Sequence, residues 1–208
     1  MEASPIQTGD RRLDGDKARR IIEAMRRSVG RRGAAASTFD RVAREAGVSR
    51  GLLHYYFGSK ERLLAGVVRH DCELRLEQLD RRLAEARTVD DVVAALVAQL
   101  EVFLGEDPEN QAVIYEMLSA SRRSPEIRAE LAELYRRWRE HLANALREKQ
   151  EEGVLQLAGE PEAVASVLYA LADGMGIQLL ADPDWDSRPV FEFGMELLRE
   201  LLAAPSSA

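Results

Sequence analysis

Cysteine is nearly absent from this chain of 208 residues, in which Cys72 is the single one. One thiol excludes an intramolecular disulfide and any zinc site built on several cysteines, and it fits a reducing cytoplasm. Histidine is almost as scarce. His54, His70 and His141 lie far apart, and in His70-Asp71-Cys72 neighbouring residues point to different helix faces. No apolar run approaches the ~20 residues of a membrane-crossing helix. The first thirty residues hold no apolar block with a cleavage site, so no secretion signal is expected.

Catalytic patterns are missing too. There is no phosphate-cradling glycine loop, and Gly174-Met175-Gly176 follows a helical pattern and not a strand, so it is not a dinucleotide turn. Asp182, Asp184 and Asp186 alternate as in a calcium loop, but Pro183 intrudes and the glycine and terminal glutamate of such loops are lacking. Cys72 has no evident base. An enzyme is not expected, nor is a metal or a cofactor.

What is present is an ordinary globular composition, 46% apolar and 31% charged, long enough for one domain or two small ones with a real core. The net charge of −7 hides an asymmetry. Residues 1–70 carry 15 Lys and Arg against 8 acids, whereas the rest carries 14 against 28. A basic head on an acidic body suits a head that meets a polyanion while the body stays off it.

Apolar positions recur at three and four throughout, and no stretch alternates with period two. The pattern predicts nine helices and an all-α fold. Helix one spans roughly Asp14–Gly30. Helix two begins at Ser37 or Thr38 and stops at Gly47. Helix three is capped by Ser49 and stopped by Gly58, and a long helix four is capped by Ser59. Thr88 with Asp91 forms a capping box for helix five. Asp107-Pro108 and Ser124-Pro125 open helices six and seven. Gly153 closes helix seven, Pro161 opens helix eight, and Asp186 or Ser187 with Pro189 opens helix nine. Residues 13–60 read as a small head and 61–203 as a larger body, with flexible tails at 1–12 and 204–208.

Two short helices flanking Gly47-Val48-Ser49 make a helix-turn-helix. Val48 plugs the angle between them, and the second helix can lay its first turns in a major groove. Arg50 sits in that first turn, where a cation opposes the helix dipole unless an anion binds nearby. Gly51 costs helix stability, ~1 kcal/mol relative to alanine, but lets the backbone approach DNA. Of the aromatic run His54-Tyr55-Tyr56-Phe57, His54 and Tyr55 are the candidates for DNA contact.

The stretch Val42-Ala43-Arg44-Glu45-Ala46-Gly47-Val48-Ser49-Arg50-Gly51-Leu52-Leu53-His54-Tyr55-Tyr56-Phe57-Gly58-Ser59-Lys60-Glu61-Arg62-Leu63-Leu64 resembles the TetR family of bacterial one-component repressors. Residues 168–183 (Leu168-Tyr169-Ala170-Leu171-Ala172-Asp173-Gly174-Met175-Gly176-Ile177-Gln178-Leu179-Leu180-Ala181-Asp182-Pro183) look like the BetI-type branch of its regulatory domains. The resemblance implies a nine-helix, two-domain regulator that represses as a homodimer on a near-palindromic DNA operator. It places DNA contacts on Thr38, Ser49, Arg50, Gly51, Leu52, His54, Tyr55, Tyr56 and Lys60, with Thr38 and Lys60 on phosphates and Arg50 and His54 nearest to bases. His54 stands where the family more often has tyrosine, and Leu52 where it often has a small polar residue. Arg41 replaces the acid expected three after Thr38, so Ser37 and Asp40 become the expected cap.

For the body, the resemblance implies a ligand pocket among helices four to eight and dimerisation through the last two. Pocket candidates are Phe103, Ile114, Tyr115, Met117, Leu118, Tyr135, Trp138, Asp173, Met175 and Gln178, which suit a small hydrophobic or aromatic effector. Interface candidates are Ala165, Leu168, Ala172, Met175, Leu179, Phe191, Gly194, Leu197, Leu198 and Leu201. Helix four, running from the head into the body, is the expected lever. The competing expectation is a DNA-binding or scaffold dimer with a filled core and no ligand.

Overall fold

Hydroxyl side chains set five of the helix starts. The side chains of Thr38, Ser49, Ser59, Thr88 and Ser124 each accept a hydrogen bond from the backbone N–H three residues on, satisfying a donor that the first helical turn leaves over. The computed structural model describes residues 16–106 and 108–203, and the side chains of these outside 105–112. Its helices are α1 (Asp16–Ala36), α2 (Phe39–Ala46), α3 (Arg50–Phe57), α4 (Lys60–Glu85), α5 (Val89–Glu101), α6 (Pro108–Ser121), α7 (Pro125–Glu151), α8 (Pro161–Ala181) and α9 (Arg188–Leu202). A π-helical segment, Val102–Glu106, continues α5. Among the described residues there is no strand, only an isolated bridge between Gln156 and Ala203. The expected tails at 1–12 and 204–208, the start of α1 at Asp14 and the cap at Asp107 lie outside the described residues.

Four details refine or correct the sequence expectation. Helix α1 runs past Gly30 to Ala36, with a kink at Gly33 (φ 75°, ψ 163°). Thr38, not Ser37, caps α2. Ser37 is fully buried and donates to the Gly33 carbonyl at 2.9 Å, which closes the kink. Ser187 occupies the N-cap position of α9 without a side-chain bond, while Asp186 accepts from the Arg188 backbone and guanidinium. Finally, α8 is 21 residues long and, alone among the described helices, apolar enough to cross a bilayer by length and composition. The expectation that no such run exists is corrected. Glu162 and Asp173 interrupt the run in sequence but not the helix. Only 22% of its apolar window is buried inside the chain.

The core falls into two apolar clusters. One joins α1–α3 to the first half of α4, to α6 and to the start of α7, with Ile21, Met25, Leu53, Leu63, Met117 and Ile127 almost fully buried. The other joins the far ends of α4 and α7 to α5, α8 and α9 around Val92, Leu146 and Leu202. Helices α4 and α7 therefore run through both. Arg62 reaches Glu126 at 2.6 Å and Arg69 reaches Glu130 at 2.7 Å, pinning the start of α4 to the start of α7.

Candidate DNA-binding surface and effector cavity

The turn between α2 and α3 needs a left-handed residue, and Gly47 supplies it at φ 65°. Val48 is half-buried against the head core, so the angle between the helices is fixed by packing. Leu53 and Phe57 face inward, and Tyr56 is half-buried against the same core. The opposite side of α3 presents Ser49, Arg50, Gly51, His54 and Tyr55, all exposed, with Tyr55 59% accessible. Nothing but Ser49's own side chain comes within 4.0 Å of a Cβ built at Gly51, so the helix backbone is bare there. Leu52 and Lys60 are half-exposed and Thr38 exposed at the edge of this surface. Ser49 Oγ and Thr38 Oγ1 are engaged by their own helix starts.

Arg50 is not loose. Its Nη1 lies 3.3 and 3.2 Å from the two carboxylate oxygens of Asp40, and its Nε lies 3.4 Å from Nε2 of His54. His54 Nδ1 faces the Gly58 carbonyl at 3.1 Å, and its ring meets Phe39 edge-on at 4.7 Å.

In the body, a cavity of about 130 Å³ opens between α4, α5, α7 and α8, lined by Arg75, Leu76, Leu79, Leu96, Gln99, Leu100, Phe103, Trp138, Leu142, Leu168, Tyr169, Ala172 and Asp173. Trp138 stacks on Tyr169 (6.0 Å, 18°) and meets Tyr135 edge-on at 5.2 Å. The Tyr135 hydroxyl donates to Asp173 at 2.9 Å. Burial pushes the Asp173 carboxyl above the usual range, and the Tyr135 bond pulls it partly back. Burial, with the Asp173 charge adding to it, also raises the Tyr135 and Tyr169 hydroxyls. Among the described residues no cation pairs with Asp173. Arg75 instead lays its guanidinium over the Phe103 ring at 5.2 Å. Behind the indole, Trp138 donates to Cys72, whose thiol burial raises to about 11; at neutral pH it is an inert thiol.

Of the sequence candidates, Phe103, Trp138 and Asp173 therefore line this cavity, and Tyr135 touches it through Asp173. Ile114 and Met117 are buried in the cluster beneath the head, and Leu118 is exposed. Tyr115 packs its hydroxyl against α8, 2.6 Å from where a Cβ on Gly176 would stand; Gly176 is a packing glycine. Met175 and Gln178 line a second cavity, of about 300 Å³, between α5, α8 and α9. Leu96, Leu100, Leu168 and Ala172 border both cavities. The sequence reading missed Tyr169, Gln99 and Arg75. Gln99 of α5 and Tyr169 of α8 follow the same three-and-four spacing that marks a filled core, and Arg75 of α4 carries no distinguishing signal.

The expected interface residues divide. Ala165, Met175 and Leu198 are buried inside the chain, where they pack against α5 and α7 or wall the second cavity. Leu168 and Ala172 border the cavities. Leu179, Phe191, Gly194, Leu197 and Leu201 are half-exposed. The large apolar groups that face outward on these helices are Val167, Leu171, Ile177 and Leu180 of α8 and Val190 and Phe193 of α9.

A helix-turn-helix whose second helix leaves one side exposed, set on an all-helical body, marks a DNA-binding transcriptional regulator. The chain belongs to the TetR family: the model "Bacterial regulatory proteins, tetR family" matches residues 21–67, and "BetI-type transcriptional repressor, C-terminal" matches 89–203. It is 33% identical over 161 residues to the HTH-type transcriptional regulator BetI of Rhizobium meliloti (strain 1021), covering 76% of this chain and 75% of that one. With BetI of Brucella canis it shares 35% identity over 82 residues, 39% of this chain and 41% of the relative. Among solved structures, a putative transcriptional regulator from Saccharomonospora viridis in complex with choline aligns at TM-score 0.72 and 26% identity, over 90% of this chain and 97% of that one. Reduced NemR of E. coli shares the fold (TM-score 0.75, 20% identity, 92% and 100% coverage). The family is one of transcription regulators, not enzymes.

Proposed function

We propose that the chain is a cytoplasmic repressor that binds a near-palindromic operator as a homodimer and is released by a small organic cation held in the body. The half-buried Asp173 carboxylate, without a cation partner among the described residues and set beside Trp138 and Tyr169, carries the ligand assignment. A carboxylate kept in such a place costs free energy unless a positive group joins it, and aromatic faces attract the same group. The size fits: about 130 Å³ is close to the ~150 Å³ that takes up benzene. The choline bound to the Saccharomonospora viridis regulator supports the same class. The cavity also speaks against the alternative of a filled, ligand-independent core.

The outward apolar set on α8 and α9 supports pairing of two chains, since apolar patches of that kind mark interaction surfaces. Two α3 helices would then need to stand one turn of DNA apart, ~34–36 Å. A cation that binds better to another spacing lowers operator affinity by that preference and no more.

Calorimetry with choline, tetramethylammonium and the neutral isostere 3,3-dimethylbutan-1-ol tests the ligand. The two cations are expected to bind and to release a DNA duplex selected by the protein from a random pool. Equal binding of the isostere would overturn the cation reading.

A further inference from the structure

We infer that Asp40 and His54 are positioning residues that hold the Arg50 guanidinium in one orientation, so that Arg50 discriminates a base pair in each half-site. The inference rests on α3 entering the major groove. It starts from a chain of contacts that crosses the helix-turn-helix. The Gly58 carbonyl at the end of α3 can only accept, so the facing His54 Nδ1, 3.1 Å away, carries the hydrogen in the neutral ring. That leaves Nε2 as an acceptor, and it points at Arg50 Nε. Arg50 Nη1 ends the chain on both oxygens of Asp40, in the first turn of α2. Phe39, buried beside Asp40, holds the imidazole by its edge. The guanidinium is thus gripped from two helices at two of its nitrogens, and Nη2 has no partner among the described residues.

The energetics argue for a role other than holding the fold. Arg50 and Asp40 are 60% and 59% exposed, and exposed pairs of this kind add little stability. On a surface that meets phosphates, an acid is unfavourable by charge alone. Asp40 has a compensating use if it fixes the arginine. A fixed fork presents its N–H groups to one base edge, with less freedom to lose on binding, whereas a loose one also reaches neighbouring acceptors.

The test uses the full-length protein and a duplex selected from a random pool, with affinities measured for every single-base-pair variant of that site. Arg50→Ala is expected to cut discrimination about tenfold at one pair per half-site, the scale of one good side chain–base pair contact. Asp40→Ala and His54→Phe are expected to cut it at least threefold at that same pair, with other positions within twofold and melting temperatures unchanged. His54→Gln, whose amide oxygen can still accept, should keep more than His54→Phe. Asp40→Ala should add nothing on top of Arg50→Ala, the non-additivity of groups acting through one another. A uniform change for every duplex in Asp40→Ala, a loss at a different pair, or additive behaviour would overturn the inference. Failure of the wild type to select any sequence would refute the groove reading beneath it.

Discussion

Gly66 of α4 lies flat against the ring of Phe57 at the end of α3: a Cβ added there would stand 3.2 Å from Cε1 and 3.6 Å from Cδ1. The recognition helix and the helix leading into the body thus touch through a ring and a bare backbone. Alanine at 66 would gain about 1 kcal/mol of helix propensity and needs Phe57 to yield by a few tenths of an ångström, so it should be close to neutral. Gly66→Val overpacks the contact and is expected to cost about 1–3 kcal/mol, read from urea unfolding. An unchanged midpoint in the valine variant would show that α3 and α4 do not meet there.

The capping box at the start of α5 gives a second expectation. Thr88 Oγ1 accepts from the Asp91 N–H at 3.2 Å, and Asp91 accepts from the backbones of Arg87 and Thr88, both at 2.9 Å. Thr88→Ala should cost about 1 kcal/mol. The Arg87 backbone bond, then the Thr88 bonds, hold the Asp91 carboxyl below its ordinary range. Its contribution is therefore present above the ordinary aspartate value and is lost as pH falls through the depressed one. The stability gap between wild type and Asp91→Asn should close on acidification.

Asp173 has the opposite sign. Burial raises its folded-state pKa, so its contribution to stability is greatest with the proton on, below the unfolded value, and falls as pH rises through the folded one. Once ionised, this half-buried carboxylate is carried at a cost. Asp173→Asn should melt higher than wild type near neutral pH, converge with it in acid, and lose choline binding. A lower melting temperature at neutral pH would mean that the carboxylate is stabilising.

The α8–α9 surface yields a prediction of its own. Phe193 is 66% exposed and Leu171 is 41% exposed. Phe193→Asp with Leu171→Arg puts charge where apolar groups are expected to meet, and should give monomers by analytical ultracentrifugation with an intact helical spectrum. Operator affinity should collapse to that of a single half-site. A wild-type sedimentation coefficient would move the subunit contact elsewhere.

Most helix limits were legible because their signals are local. A hydroxyl followed by a turn of helix, or a glycine just past its end, identifies itself at Thr88, Ser124 or Gly47 without reference to the fold. The exposed face of α3 followed equally from Leu53 and Phe57 being four apart. The cavity did not. Tyr169 and Gln99 lie on apolar stripes no different from those of a packed core, and only the relative placing of α5, α7 and α8 leaves a gap between them. Which side of α8 faces outward was hidden for a related reason. Helix α8 is apolar nearly all round, so Met175 and Ile177 look alike in sequence, although one walls a cavity and the other faces outward. The kink at Gly33 was hidden because Arg31 and Arg32 gave no reason for α1 to continue past Gly30.

Ala172 borders both hollows of the body together with Leu96, Leu100 and Leu168, and has the smallest side chain of the four. Any enlargement at this position narrows the two spaces together. Under the proposed function, a change at Ala172 that suits a new inducer is therefore expected to alter subunit affinity in the same step.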